Sequence, residues 1–596
     1  MSRSVRTLPP TLLMLRSLLI GAVTVSGVAV AGSALVSCAD ENDPETHVSK
    51  LKDPGTRPQA VNRLVQFFED AMTKDNKNRE GPAVKPILDK IVGPMNDTCV
   101  AGDLDERTQS KIVKFLSDAR DPRGEACLVK VLKDFKPEGG AEEDARWAAR
   151  AVGAMKLKGA SGPLMETFIK LRPSKLKKVP ELYRDVRDAM VALLDPAWES
   201  QLIERLNRPI NDRKDVGNLK DEMFWQITSA ELLGMLKSNN AVKPLIKAVI
   251  SPMKADVAAT AVNALIKIGK PAIAPTLAVL KSEDKEIIEY SKVENLKGVQ
   301  PGTDNKPPAS AVKAAETAHV GAAAIILATI GRGEAAGPMI EAMDKSDDLS
   351  RAIIARELAK LPGSPETVKA FQSAFEKTPL SLSIPPGAGA RESLLESAVT
   401  FFDPSFTPWI VRTAQGMKGE ESDIAPIREA SLLASAKLMT ADQIGVVDGL
   451  YNAKVTGADG KSGTLGKGFE KEYKIAKDLL AACSDKVECY LAKLAEPASQ
   501  AEETQFQGIK SAYMVGVLGS PDVRKKLIDL MPKLSNAAVR FVAVSVIDHF
   551  SPKGDKAIAD QLQKIVDDAE SSKDANKMTN NAPFKTIIYR LNARAQ

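Results

Sequence analysis

Between Asp256 and Leu280 the chain spells out one structural unit in full: a helix, a stop and a second helix. Val257, Ala261, Ala264, Leu265 and Ile268 fall at i, i+4, i+7, i+8 and i+11, one face of a helix. Asp256 is the expected N-cap, Gly269 the expected stop, and Pro271 closes the turn. A second helix is expected over Ala272–Leu280, striped by Ile273, Leu277 and Leu280. Such a pair spans about 40 residues and buries its stripe only against a neighbouring pair.

The pattern recurs to the end of the chain. Asp53–Ala60 leads into a helix over Val61–Met72, and Asp144–Arg150 into Ala151–Met155, whose partner opens at Gly162-Pro163-Leu164. Glu316–Ile330 stops at Gly331, Asp348–Ala352 precedes Ile353–Leu361, Arg428-Glu429-Ala430 sits in Ile424–Met439, and Asn536–Arg540 leads into Phe541–Phe550. A helix start, an acid or arginine, small alanines and a Gly/Pro stop resemble the HEAT repeat. The resemblance covers most of residues 46–570 and implies an all-α chain, a right-handed α-solenoid of roughly 12 to 13 stacked hairpins. Composition agrees: 44% of residues are hydrophobic but only 5% aromatic, with no long strand-like alternation. A single globule of 596 residues exceeds the usual size of one core, whereas a solenoid has no such limit.

Three stretches rich in turn residues interrupt the array, near 290–308, 378–390 and 452–468, and are expected to be loops. Insertions in repeat arrays often decorate the binding face. Residues 571–596 are expected to form a C-terminal cap or tail.

The amino end has a different character. Arg3, Arg6 and Arg16 precede an uncharged segment, Leu18–Val36, that ends in small residues. This is the form of a secretory signal, assigned to residues 1–37. Leu35-Val36-Ser37-Cys38 resembles the lipobox of bacterial lipoproteins, which implies cleavage before Cys38 and acylation of that cysteine. The alternative is an uncleaved transmembrane anchor. Residues 38–45 then read as a tether. Loss of the leader removes three arginines and no acid, lowering the formal charge from +5 to +2. That balance offers no basic footprint for nucleic acid.

Four cysteines remain besides Cys38, an even number for an oxidising compartment. Cys483 and Cys489 bracket a short polar turn between two helices, within disulfide reach. Cys99 and Cys127 are paired by elimination, with two buried free thiols as the alternative. No Cys-x-x-Cys occurs, so no metal site is expected.

Catalytic constellations are not evident. His47, His319 and His549 are widely spaced in sequence, and Glu142-Glu143 and Asp347-Asp348 stand at helix starts, where they offset the helix dipole. Gly457–Ser462 lacks the first glycine of a P-loop, since Val455 stands there, and no nucleotide is expected. Lys175–Lys178 and Lys525-Lys526 are short basic runs, while Trp147, Trp198, Trp225 and Trp409 suit inter-repeat packing better than surface anchoring.

The resulting expectation is a non-catalytic, lipid-anchored scaffold that binds another protein of the bacterial cell envelope in its concave groove and carries no cofactor. The rivals are a lyase-type enzyme on a groove-bound ligand, since some HEAT-like arrays resemble phycobilin lyases, and a structural envelope spacer. Nothing in the residues identifies a bilin-handling group.

Overall fold

The chain is an α-solenoid. The computed structural model describes residues 40–596 apart from 138, 140, 177, 178, 180, 298, 303, 304, 385, 386, 457–461 and 573–581. Thirty α-helices and two short β-hairpins occur among the described residues. The unit at 256–280 folds as Ala255–Ile268, a single 3-10 turn at Lys270–Ala272, and Ile273–Leu280. Its start differs from expectation: Lys254 holds the cap position, and Asp256 lies in the first turn, paired with Arg213 at 2.6 Å. Similar 3-10 turns open the second helix of successive pairs at Pro122, Lys158, Pro196 and Asn239. Asp121, Asp195 and Ser238 accept hydrogen bonds from backbone N–H groups of three of these turns, which fixes the hairpin angle.

The helices stand in two rows. One row runs α1 (Arg57–Lys74), α2 (Glu106–Ala119), α3 (Glu142–Met155), α4 (Leu182–Leu193), α5 (Val216–Met235) and α6 (Ala255–Ile268). It continues with α7 (Ala309–Ile330), α8 (Asp348–Leu358), α9 (Ala390–Ala398), α10 (Glu421–Leu438), α11 (Phe506–Leu518) and α12 (Ala537–His549). Each member packs on the next. Small residues make this possible: a Cβ on Gly234 of α5 would lie 2.6 Å from the Cα of Ala264 on α6. Only glycine permits so close an approach, which is why the repeats are rich in small residues.

The row curls around the end of its own chain. Residues 571–596, expected as a cap or tail, include a thirteen-residue helix, α13 (Ala582–Arg594). It packs on α6, α7 and α12. At 1.5 Å per residue α13 is about 20 Å long. Helices so distant in sequence meet one short rod only if the row is concave between them, with α13 filling the hollow. Phe584, Ile587, Ile588 and Leu591 are buried there at i, i+3, i+4 and i+7.

The three interruptions are more ordered than loops. A helix, Lys285–Leu296, occupies the first part of 290–308, capped by the Asp284 carboxylate on the Ile287 N–H at 3.2 Å and seated through buried Ile287, Ser291 and Glu294. The second contains β1 (Ser383–Ile384) and β2 (Ala388–Gly389), and the third β3 (Lys454–Thr456) and β4 (Ser462–Thr464), each pair antiparallel. Gly387, at φ 127°, sets the bend between β1 and β2, while short paired backbones satisfy their own hydrogen bonds. α7, at 22 residues, is long and apolar enough to cross a membrane, yet half of its apolar window is buried inside the protein.

Candidate functional site

A cleft that joins apolar walls to buried charged groups lies beneath α13. With a volume of about 630 Å³, it opens between the C-terminal ends of α7 and α8, the turn at 400–402, α12 and α13. Leu361, Pro362, Phe402, Phe541 and Ile587 supply its apolar wall. Phe402 adopts φ 51°, a region where a bulky residue is strained by roughly 1–2 kcal/mol. Rings on both sides hold it there, Tyr513 at 5.6 Å and His549 at 5.1 Å between centroids.

A three-member ion cluster closes the other end. Asp548 on α12 faces Arg590 and Arg594, which lie one turn apart on the same face of α13. Arg590 donates through Nη2 to the Lys360 carbonyl at 2.6 Å and is ion-paired with Asp548 at 3.1 Å. Arg594 donates to Asp548 and, through Nη1, to the Ser551 carbonyl at 2.9 Å. All three residues are buried. A Cβ on Gly331 would lie 2.8 Å from Arg590 Nε, and Gly331 itself sits at φ 78°. The glycine that stops α7 therefore also makes room for the guanidinium. Burial disfavours the charged form of both Arg594 and His549.

The residues singled out in the sequence fall elsewhere, with one exception. Cys38 and the whole leader lie outside the described residues, as do Lys177, Lys178 and Lys461. Disulfides join Cys99 to Cys127 and Cys483 to Cys489, with Cα atoms 5.5 and 5.4 Å apart. His319 donates to or accepts from Ser282 Oγ at 2.9 Å, and burial disfavours its charged form. His47 contacts the Glu41 carbonyl, while His549 alone reaches the cleft. Asp347 caps α8, accepting from the Leu349 and Ser350 N–H groups, whereas Glu142 reaches across to the Val179 N–H in the segment before α4. Trp198, Trp225 and Trp409 are buried; the Trp225 indole donates to the Phe168 carbonyl at 2.9 Å, with three arginines around its ring. Among the described residues no group of three His, Cys, Asp or Glu is placed to hold a metal ion.

Lys510 of α11 is completely buried, a position that elsewhere marks a nucleophilic amine. Here its Nζ donates to the carbonyls of Met439 at 2.6 Å and Lys437 at 3.1 Å, closing the C-terminal end of α10. Burial holds its pKa well below the usual lysine range. Its surroundings give it a capping role.

Sequence reasoning missed Asp548, Arg590 and Arg594. The signal was present: the Phe584–Leu591 stripe and two arginines at i, i+4 mark a helix with a buried face.

No protein-family model matches the chain, and no curated protein matches it either. Among solved structures it is similar to Kap95p bound to RanGDP, at 11% identity over 91% of this chain and 70% of that one, with a TM-score of 0.37. Importin beta, in an ammonium sulfate condition, shares 11% identity over 90% and 77% of the two chains at a TM-score of 0.34. SYS-1 shares 10% over 92% and 98% at 0.30. Scores of this size carry no functional argument.

Proposed function

We propose that the chain is a non-catalytic scaffold that binds another protein along the concave row, tethered to a bacterial cell envelope through lipid on Cys38. One observation carries the binding half of this reading: the concave row already holds an amphipathic helix, α13, as groove-binding helices are held, by an apolar stripe and polar ends. Upstream of α6 the same row presents exposed side chains of both signs, among them Lys114, Asp118, Arg150, Arg184 and Asp188. A partner would lie there. The tether half rests on the leader and on Leu35–Cys38, and two disulfides suit a chain exported to an oxidising compartment.

Site-specific photo-crosslinkers at Arg150 and Arg184, on α3 and α4, test the groove in the native membrane. The expected result is one discrete partner adduct from these positions and none from the opposite row, for example at Glu166. Adducts only from the opposite row overturn the reading. Incorporation of an alkynyl palmitate that disappears in Cys38→Ser tests the anchor separately; unchanged labelling, or none in either protein, removes the lipid.

A further inference from the structure

The cleft under α13 is built unlike a gap between packed helices. Its volume of about 630 Å³ falls within the range of small-molecule sites, roughly 300–1,000 Å³, which are mostly apolar with a few convergent polar groups. Phe541 stands at its mouth half exposed, an unusual place for a large ring. Three hydroxyls lining it have already spent their protons on helix carbonyls: Thr329 on Ile325, Thr400 on Ser397 and Ser545 on Phe541. Beside them the guanidinium groups of Arg590 and Arg594 offer buried donors.

Their charge is not balanced. Two arginines face one carboxylate, which leaves one positive charge in excess at the closed end. Lys360, also in the lining, shares Glu357 with Arg356, at 2.5 and 2.9 Å, and so does not reduce this excess. Arg590 is held through Nη2, and its Nε, like that of Arg594, is buried without a hydrogen-bond partner. Buried donors in that condition cost on the order of 1–3 kcal/mol each. A monoanion satisfies both the charge and the donors, whereas a dianion would bring an unpaired negative charge into an apolar enclosure.

We propose that this cleft binds a carboxylate-headed amphiphile, such as a fatty acid, with its carboxylate on Arg590 and its apolar body between Leu361, Phe402, Phe541 and Ile587. The ligand fills the space between α12 and α13 and pins the last helix to the row. This reading is independent of any protein partner.

Calorimetric titration of the full mature chain without lipid, with laurate below its micellar concentration, tests it. Dodecanol and dodecyltrimethylammonium serve as the uncharged and cationic comparisons. The expected result is one laurate per chain, bound at least about tenfold more tightly than either comparison. Arg590→Gln is expected to weaken laurate about tenfold, to the level of dodecanol. Should that variant release α13, Phe541→Asp at the exposed mouth decides: it repels the carboxylate and shortens the apolar wall, so affinity is expected to fall at least tenfold with the helical fold unchanged. Absence of laurate binding, equal affinity for all three head groups, or unchanged affinity in Phe541→Asp overturns the proposal.

Discussion

Residues 106–193 and residues 506–594 build the same row of helices to opposite ends. On α2, α3 and α4 the row shows charged side chains to solvent, with Lys114, Arg150, Arg184 and Asp188 exposed. On α11 no residue from Phe506 to Leu518 is exposed, and the buried run Lys510–Gly516 goes right round the helix. A helix buried on all sides needs neighbours on all sides. The second region finds them in the helices flanking it in the row and in the packing around it; the first leaves its inner face open. One repeat architecture thus yields an open surface and a filled one, and the filling comes from the chain itself.

The sharpest way to break this comparison is at Asp548. Replacing it with alanine strands two buried guanidinium charges, a loss of about 3–5 kcal/mol. Amide exchange over α13 and the facing part of α6 is expected to accelerate at least about a hundredfold, while α2–α4 stay protected as before. Equal acceleration in both regions would mean that the ion cluster supports the whole array rather than the closed part.

The next largest effect belongs to the open region. Cys99–Cys127 closes 28 residues, worth about 3–4 kcal/mol by chain entropy, against roughly 2 kcal/mol for the six-residue closure at Cys483–Cys489. A Cys99→Ser, Cys127→Ser double variant is expected to lower the melting of α1–α3 selectively, read by exchange or limited proteolysis. Melting of α11 and α12 should not move with it.

The smallest effect sits between the regions. Lys254 is buried, and desolvation lowers its pKa to about 8 while its Nζ donates to the Leu206 carbonyl. Between pH 8 and the unfolded value near 10.5 the unfolded chain binds more protons, so stability rises with pH across that window. Over pH 8–9.5, below the tyrosine range, the gain is on the order of 1–2 kcal/mol. Denaturant unfolding is expected to show a slope shallower by that amount in Lys254→Met than in the parent chain, since Lys510, lowered for the same reason, contributes to both.

The array was legible because its cause is local. Val257, Ala261 and Leu265 repeat at helical spacing, and Gly269 and Pro271 punctuate them, so hairpins follow from nearest neighbours alone. The hairpins β1–β2 and β3–β4 were hidden because glycine-rich stretches pair as readily as they loop. The cleft was not legible for a different reason. Its members come from Lys360, Phe402, Asp548 and Arg590, and only the curvature of the row brings them together. Curvature is a sum of small rotations between repeats, which no single unit encodes.

That α13 follows α1–α12 in the chain fixes the order in which its seat can be filled. Synthesis delivers the amino end first, and every repeat from α1 to α12 can stack before Ala582 emerges. The hollow therefore stands open until α13 is made, and is stoppered by that helix, Arg590 and Arg594 among its residues. A chain halted early would be a fully stacked array with an unsealed interior, its apolar seat for α13 turned to water, and quality control could read that face as the mark of an unfinished protein.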